Sequence, residues 1–208
     1  MGDEIIYALS DVDLSIKKGE FVAVMGPSGS GKTTLANIIG GLDTPTSGEV
    51  TIEEQNLAKA KDKILSDYRN KKVGFVFQTF NLQPGYTALE NVMLPLILAK
   101  ISSKQRKSKA IESLKAVGLE DRMKHKPNQL SGGQRQRVSI ARALANDPEI
   151  IIADEPTGNL DSKKGAEIIN LLKDLNKKNE ITLIIITHDQ NIAKMADRIV
   201  SIQDGRVK

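Results

Sequence analysis

The residues best suited to chemistry lie in a few short strings, beginning with Gly26-Pro27-Ser28-Gly29-Ser30-Gly31-Lys32-Thr33-Thr34. Glycines at 26, 29 and 31 let a backbone turn sharply and bring successive N–H groups onto phosphate oxygens. In such a loop Lys32 reaches the β- and γ-phosphates and the Thr33 hydroxyl binds Mg²⁺. The flanks fit this chemistry. Phe21-Val22-Ala23-Val24-Met25 is a short apolar run that reads as a buried strand, and from Lys32 to Ile39 the spacing is helical with no breaker. Strand, glycine loop and helix together put a positive helix N-terminus under the phosphates.

A second apolar run, Ile150-Ile151-Ile152-Ala153, ends in Asp154-Glu155. An acid at the carboxyl end of a strand can support the Mg²⁺ shell, and Glu155 beside it is placed to polarise a water as a general base. Taken alone, the string would be a strand entering a solvated turn. Its place after a phosphate loop, and before Pro156-Thr157-Gly158-Asn159-Leu160-Asp161, favours the catalytic reading. A third run, Thr182 to Thr187, delivers His188 to the ligand-bearing end of the same sheet. The other histidine, His125, falls in a polar stretch and reads as solvated.

Leu130-Ser131-Gly132-Gly133-Gln134 has the form of a helix start, with Ser131 as N-cap and Gln134 three residues on. A plain capping box would not spend two glycines in its first turn, where they cost helix stability. Those glycines leave the terminal N–H groups bare for a phosphate. The chain already owns one phosphate loop, so this second helix end needs a target elsewhere. A head-to-tail dimer supplies it, each copy capping the γ-phosphate held by the other.

With these strings the sequence resembles the ATP-binding subunits of ABC (ATP-binding cassette) transporters over nearly its whole length. Within them it is most similar to the group serving lipoprotein release, macrolide export and antimicrobial-peptide export. Gly74-Phe75-Val76-Phe77-Gln78-Thr79-Phe80-Asn81-Leu82, Thr87 to Val92, and Ala153 to Asp161 carry that similarity. The resemblance implies roles residue by residue. Gly26, Pro27, Ser28, Gly29, Ser30, Gly31, Lys32, Thr33 and Thr34 bind the phosphates of ATP. Thr33, Asp154 and Gln78 serve Mg²⁺, Glu155 is the base, and His188 contacts the γ-phosphate. Asp161 lies in a loop crossing the dimer interface, while Ser131, Gly133 and Gln134 act on the partner's nucleotide. The implied function is the ATP-hydrolysing motor of an exporter or membrane-extraction machine. It pairs with a transmembrane permease of few spans, and with a second copy of itself, on the cytoplasmic face of the cell membrane. One departure concerns adenine. The family's upstream strand and stacking aromatic have no counterpart, and Tyr7 matches the segment after the stacker, so Tyr7 is expected to be a strand residue.

The elements that must position these groups follow from the pattern. Strands alternating with helices imply an α/β P-loop NTPase (RecA-like) core with a mostly parallel sheet. Ile5 to Leu9, Val12 to Ile16 and Glu49 to Ile52 read as short strands of an antiparallel β-subdomain at the N-terminus. From Gln78 to Ser131 the pattern turns helical, with Thr87 and Glu90 as a capping box and Pro95 as a kink or stop. Ser102 or Ser103 caps the next helix, and Gly118 ends it. The expectation is one domain over 1–208, with 1–79 and 147–208 as catalytic core with β-subdomain and 80–146 as helical signature subdomain. The apolar segment Pro84 to Leu98 reads either as core or as a groove for a permease helix.

Composition narrows the alternatives. The chain has no cysteine, which excludes disulfides and thiol chemistry. No apolar run approaches a membrane span. Its net charge of +4 comes from interspersed 30 basic and 26 acidic residues, and aromatics make up only 3%. A nucleic-acid partner is therefore not expected, and the balance suits a solvated surface beside anionic membrane. A soluble ABC ATPase acting on DNA or ribosomes is the alternative. The former would need a long coiled coil between Gln78 and Ser131, and the latter usually holds two cassettes in one chain.

Overall fold

The computed structural model describes residues 7–208. In chain order these form β1 (Phe21–Met25), α1 (Lys32–Ile39), β2 (Thr51–Ile52), β3 (Gln55–Asn56), α2 (Asp62–Lys71) and β4 (Val73–Phe77). There follow α3 (Ala88–Leu98), α4 (Ser103–Ala116), α5 (Gly132–Leu144), β5 (Ile150–Asp154), α6 (Ser162–Asn179), β6 (Thr182–Ile186), α7 (Gln190–Ala193), β7 (Arg198–Gln203) and β8 (Arg206–Val207).

The main sheet is six-stranded in the order β4-β5-β6-β1-β7-β8. Its first five strands run parallel, and β8 closes the edge antiparallel to β7. Parallel strands buried on both faces read as continuous aliphatic runs, which is why the sequence pattern finds them. Alternate residues enter two separate cores. Phe21, Ile151, Ala153, Leu183 and Ile185 face a cluster shared with residues of α3 to α6. Val22, Val24, Ile152, Ile184 and Ile186 face a second cluster with Leu35 and Ala36 of α1, Leu65 and Tyr68 of α2, and Val200 and Ile202.

Register does the positioning. Phe77 pairs with Asp154, Asp154 with Ile186, and Ile186 with Val24, so β4, β5 and β6 finish in one row and β1 ends one residue beyond it. The phosphate loop, Gln78, Glu155 and His188 all emerge just beyond that row, at the carboxyl end of the sheet.

Among the described residues the antiparallel ladder of the β-subdomain is the β2–β3 hairpin, pairing Thr51 with Asn56 and Ile52 with Gln55. Residues 12–16 alternate as a strand does, with Val12, Leu14 and Ile16 packed on the second core. They nevertheless join no ladder among the described residues; Ser15 carbonyl accepts only from Arg198 (2.5 Å). Of the run Ile5 to Leu9, residues 5 and 6 lie outside the described part. Residues 8 and 9 form a bend, and Tyr7 before them has no strand assignment and is 71% exposed, so it is not a strand residue.

In the helical region the Thr87–Glu90 capping box forms, and Asn91, wholly buried, bonds the Gln83, Tyr86 and Thr87 carbonyls. Helix α3 runs one turn past Pro95 to Leu98 before Lys100 takes a left-handed φ of 58°. Ala88, Val92 and Leu96 fill the core while Tyr86, Ile97 and Leu98 stay exposed, so the Pro84 to Leu98 segment has both an inner and an outer apolar face. Gly118 ends α4 with φ 69°, as its composition predicts. His125 differs from expectation. It is half-buried with an unpartnered Nδ1, and its carbonyl caps α3 by accepting from Ala88 N–H.

Candidate functional site

The loop from Gly26 to Gly31 takes the shape its glycines permit. Gly29 and Gly31 have φ of 77° and 100°, a region open to glycine at little cost. A Cβ on Gly31 would meet the Ala8 carbonyl at 2.4 Å, and one on Gly26 the Ile202 carbonyl at 2.1 Å. Close backbone approach thus requires glycine at both. Among the described residues the amides of Ser28, Gly29 and Gly31 donate to no protein acceptor. The first-turn amides of α1 have no intrahelical partner either. Together they form a concave array of donors, which is an anion cradle. Pro27, Ser28 and Gly29 are exposed, whereas Ser30 is buried with an unpartnered Oγ. Lys32 Nζ folds back onto the Gly26 (2.9 Å) and Pro27 (2.7 Å) carbonyls, at the mouth of the cradle. Thr33 and Thr34 lie in the first turn of α1 beside it.

Asp154 sits at the end of β5. Its carboxyl is held above the usual range by burial first and by the Glu155 charge second, opposed by Lys32 and a hydrogen bond with Thr33. A half-buried acid beside a hydroxyl is an oxygen-only donor pair of the kind Mg²⁺ prefers, and a cation there would compensate the partly desolvated charge. Glu155 has a left-handed φ of 44°, a strained conformation for a non-glycine residue. Its N–H is tied to the Ile186 carbonyl (3.0 Å), so the sheet itself holds the strain. Its Oε1 lies 2.7 Å from His188 Nδ1 and accepts from His188 N–H (3.1 Å). That contact raises the His188 pKa, the Glu155 hydrogen bond being the main cause.

Gln78 follows β4 and reaches across to the loop after β5. A Cβ on Gly158 would meet Gln78 Nε2 at 2.5 Å, and Asn159 Nδ2 donates to the Gln78 carbonyl (2.8 Å). Asp161 caps α6, accepting from Lys164 N–H (3.0 Å) and pairing with its ammonium (2.9 Å), which holds the Asp161 carboxyl below its usual range.

The Ser131 turn is built as a capping box. Ser131 Oγ accepts from Gln134 N–H (3.3 Å) and Gln134 Oε1 from Ser131 N–H (2.9 Å). Gly133 packs against Lys164, and Gly132 faces Leu160 and Asn159. The fold therefore gathers the phosphate loop, Gln78, Asp154, Glu155 and His188, while the hydrogen bonds of Ser131 and Gln134 stay within their own helix start.

Four further residues brace this centre and escaped the sequence reading. Gln136, completely buried, donates through Nε2 to the Pro156 (2.8 Å) and Phe77 (3.4 Å) carbonyls. Arg142 donates to the Phe80 and Asn81 carbonyls, Arg135 lies 5.2 Å over the Phe80 ring, and Asn159 holds Gln78. The available signal was a polar stripe at Arg135, Ser139 and Arg142, with helical spacing on the inward side of α5.

Comparison with known proteins gives the same answer. The family model described as ABC transporter matches residues 9–158. An ABC transporter ATP-binding protein of Methanocaldococcus jannaschii, MJ0796, is 57% identical over 212 residues, covering 100% of this chain and 90% of that protein. The lipoprotein-releasing system ATP-binding protein LolD of Legionella pneumophila (strain Lens) is 49% identical, covering 98% and 90%. Among solved structures, the dimeric post-hydrolysis state of the MJ0796 cassette bound to ADP and Pi matches with TM-score 0.90 and 55% identity over 100% of this chain and 91% of that one. A second dimeric structure of that cassette matches with TM-score 0.90 and 56% identity, with the same coverage. On its motifs, its sheet and these likenesses, the chain belongs to the ABC transporter family, as one of its ATP-binding, ATP-hydrolysing subunits.

Proposed function

We propose that two copies of this chain close head-to-tail over two ATP–Mg²⁺ and drive a transmembrane permease of the export or membrane-extraction type. The observation that carries this reading is the separation just described. Everything needed to hold and attack a triphosphate meets at one row of strand ends, while the hydrogen bonds of the glycine-bearing helix start at Ser131 stay within that helix start. A second copy completes the arrangement, and the dimeric cassettes of a close relative support it.

The cradle of Gly26 to Thr34 amides takes the phosphates, and Lys32 exchanges its two carbonyls for phosphate oxygens. Thr33, Asp154 and Gln78 are the residues that would hold Mg²⁺, which would help neutralise charge developing on the phosphate oxygens. Glu155 accepts a proton from the attacking water, and His188 moves from Glu155 to the terminal phosphate. Ser131, Gly133 and Gln134 cap that phosphate from the other copy, and Asp161 lies on the loop between them. Residues 1–79 and 147–208 act as the catalytic core with its β-subdomain, and 80–146 as the helical signature subdomain. The exposed Tyr86, Ile97 and Leu98 supply apolar surface for the permease at the cytoplasmic face of the membrane. Among the described residues no helix is long and apolar enough to cross a membrane.

Light scattering on the Glu155→Gln chain tests the reading. With ATP–Mg²⁺ it should double in mass and without nucleotide stay monomeric. A monomer at saturating ATP–Mg²⁺ refutes the composite site.

A further inference from the structure

The segment that carries Gln78 is held to an unusual degree. The Phe77 carbonyl accepts from Gln136 Nε2 (3.4 Å), Gln78 from Asn159 Nδ2 (2.8 Å), Thr79 from Asn81 N–H (2.6 Å), Phe80 from Arg142 (2.9 Å) and Asn81 from Arg142 (2.5 Å). Every carbonyl from 77 to 81 is therefore taken, and side chains of α5 take three of them. The backbone here is also costly. Phe80 and Asn81 are consecutive left-handed residues, with φ of 59° and 50°, and neither is glycine. Asparagine visits that region readily, but an aromatic residue does so only when its surroundings impose it.

Arg142 imposes it. Its planar guanidinium presents two N–H groups in a fixed fork, and both carbonyls of the kink meet that fork. Arg135 adds its charge over the face of the Phe80 ring at 5.2 Å. Among the described residues Arg142 joins no ion pair, and burial pulls its pKa down. The guanidinium is half-buried, and among the described residues it bonds only these two loop carbonyls, so its geometry serves the loop.

We propose that Arg142 is a positioning residue for Gln78: its fork, on the helix that begins at the Ser131 cap, holds Phe80 and Asn81 in their left-handed kink and fixes Gln78 to the signature turn. Helix α5 then joins two sites. Its N-terminus serves the partner's nucleotide and its inner face sets the residue that reads its own. The inference rests on the roles of Gln78 and Ser131 given under the proposed function.

The test uses the full chain carrying Glu155→Gln, alone and with Arg142→Lys, which keeps the charge and loses the fork. ATP affinity of the monomer is measured with a fluorescent ATP analogue at protein concentrations below dimerisation, and ATP–Mg²⁺-driven dimerisation by light scattering. The expected result is monomer affinity within about threefold, because the cradle is untouched, with at least tenfold more protein needed to dimerise. A merely structural role would lower melting temperature and leave the dimerisation constant of the folded fraction alone. Should Arg142→Lys fail to fold, Asn81→Val decides. Asn81 is exposed, and a β-branched residue resists its left-handed φ of 50°, so the change opens the kink from the loop side and the same tenfold weakening is expected. Dimerisation equal to the Glu155→Gln parent in the folded variant overturns the inference while leaving the composite site standing. A parent that stays monomeric with ATP–Mg²⁺ refutes the composite site itself, and the inference falls with it.

Discussion

Gly158→Ala is the most local perturbation the site allows. The new methyl would stand 2.5 Å from Gln78 Nε2, 2.9 Å from Cδ and 3.1 Å from Cγ. Comfortable contact between such atoms lies near 3.5–4.0 Å, so the amide must retreat by about 1 Å. The backbone has no objection. Gly158 is not left-handed, and its N–H remains bonded to the Glu155 carbonyl (3.1 Å). The displaced group is the far end of a flexible side chain, so the stability cost should stay near that of an ordinary surface change, about 0.5 kcal/mol. Function should suffer far more. Misplacing a positioning group by about 1 Å can cost on the order of 100-fold in turnover. Phosphate release at saturating ATP–Mg²⁺ is therefore expected to fall by one to two orders of magnitude while the melting temperature moves by only a few degrees. Turnover within about twofold of the parent, in a chain that melts normally, would refute the placement of Gln78 as a ligand-reading residue. A loss of turnover that tracks unfolding would refute the claim that the effect is local.

Three further outcomes follow from the geometry. The His188 imidazole, followed by NMR, should titrate above the ordinary value of about 6.5 and return toward it in Glu155→Gln. Because the folded pKa is the raised one, the pair's contribution to stability is full below the unfolded value and lost as pH rises through the folded value; a His188 midpoint unmoved by Glu155→Gln would rule the contact out. Gly74→Ala should cost about 1–3 kcal/mol in urea unfolding, since its Cβ would meet the Ala143 carbonyl oxygen of α5 at 2.6 Å and backbone cannot step aside; an unchanged midpoint would contradict the packing of β4 on α5. Ser131→Ala should cost about 1 kcal/mol as a lost N-cap, yet lower turnover by more than tenfold, and proportionate losses would leave Ser131 a cap and nothing else.

The sequence exposes the catalytic centre because its parts are local. A glycine loop between a strand and a helix, or two acids at the end of an aliphatic run, can be read without knowing what lies beside them. The row from Phe77 through Asp154 and Ile186 to Val24 is likewise implied by buried parallel strands. What stayed hidden is whatever depends on a partner distant in sequence. Residues 12–16 alternate like a strand, but a ladder needs a neighbour, and among the described residues there is none. Arg142 sits some sixty residues from the kink it clamps, and on the page it resembles any exposed helical arginine. The half-burial of His125 arises from its carbonyl docking on α3, which its polar neighbours do not betray.

The side-chain hydrogen bonds of the site share a feature. Lys32 is bonded to the carbonyls of its own loop, His188 to Glu155, and the Ser131 hydroxyl to the amide of its own helix. Each functional group already has a partner within the chain, close to where a phosphate oxygen would arrive. Nucleotide binding is then an exchange of hydrogen bonds rather than a simple gain of them, and each exchange contributes only a modest net free energy. That modesty suits a cycle, since a closed dimer built from large net gains would not reopen after hydrolysis. In the proposed dimer two of the exchanges, at Lys32 and His188, need only the chain's own nucleotide, whereas the third, at Ser131, needs the partner's. Closure should therefore be the step at which the Ser131 cap changes hands, and the free energy available for moving a permease is the difference between the two sets of partners.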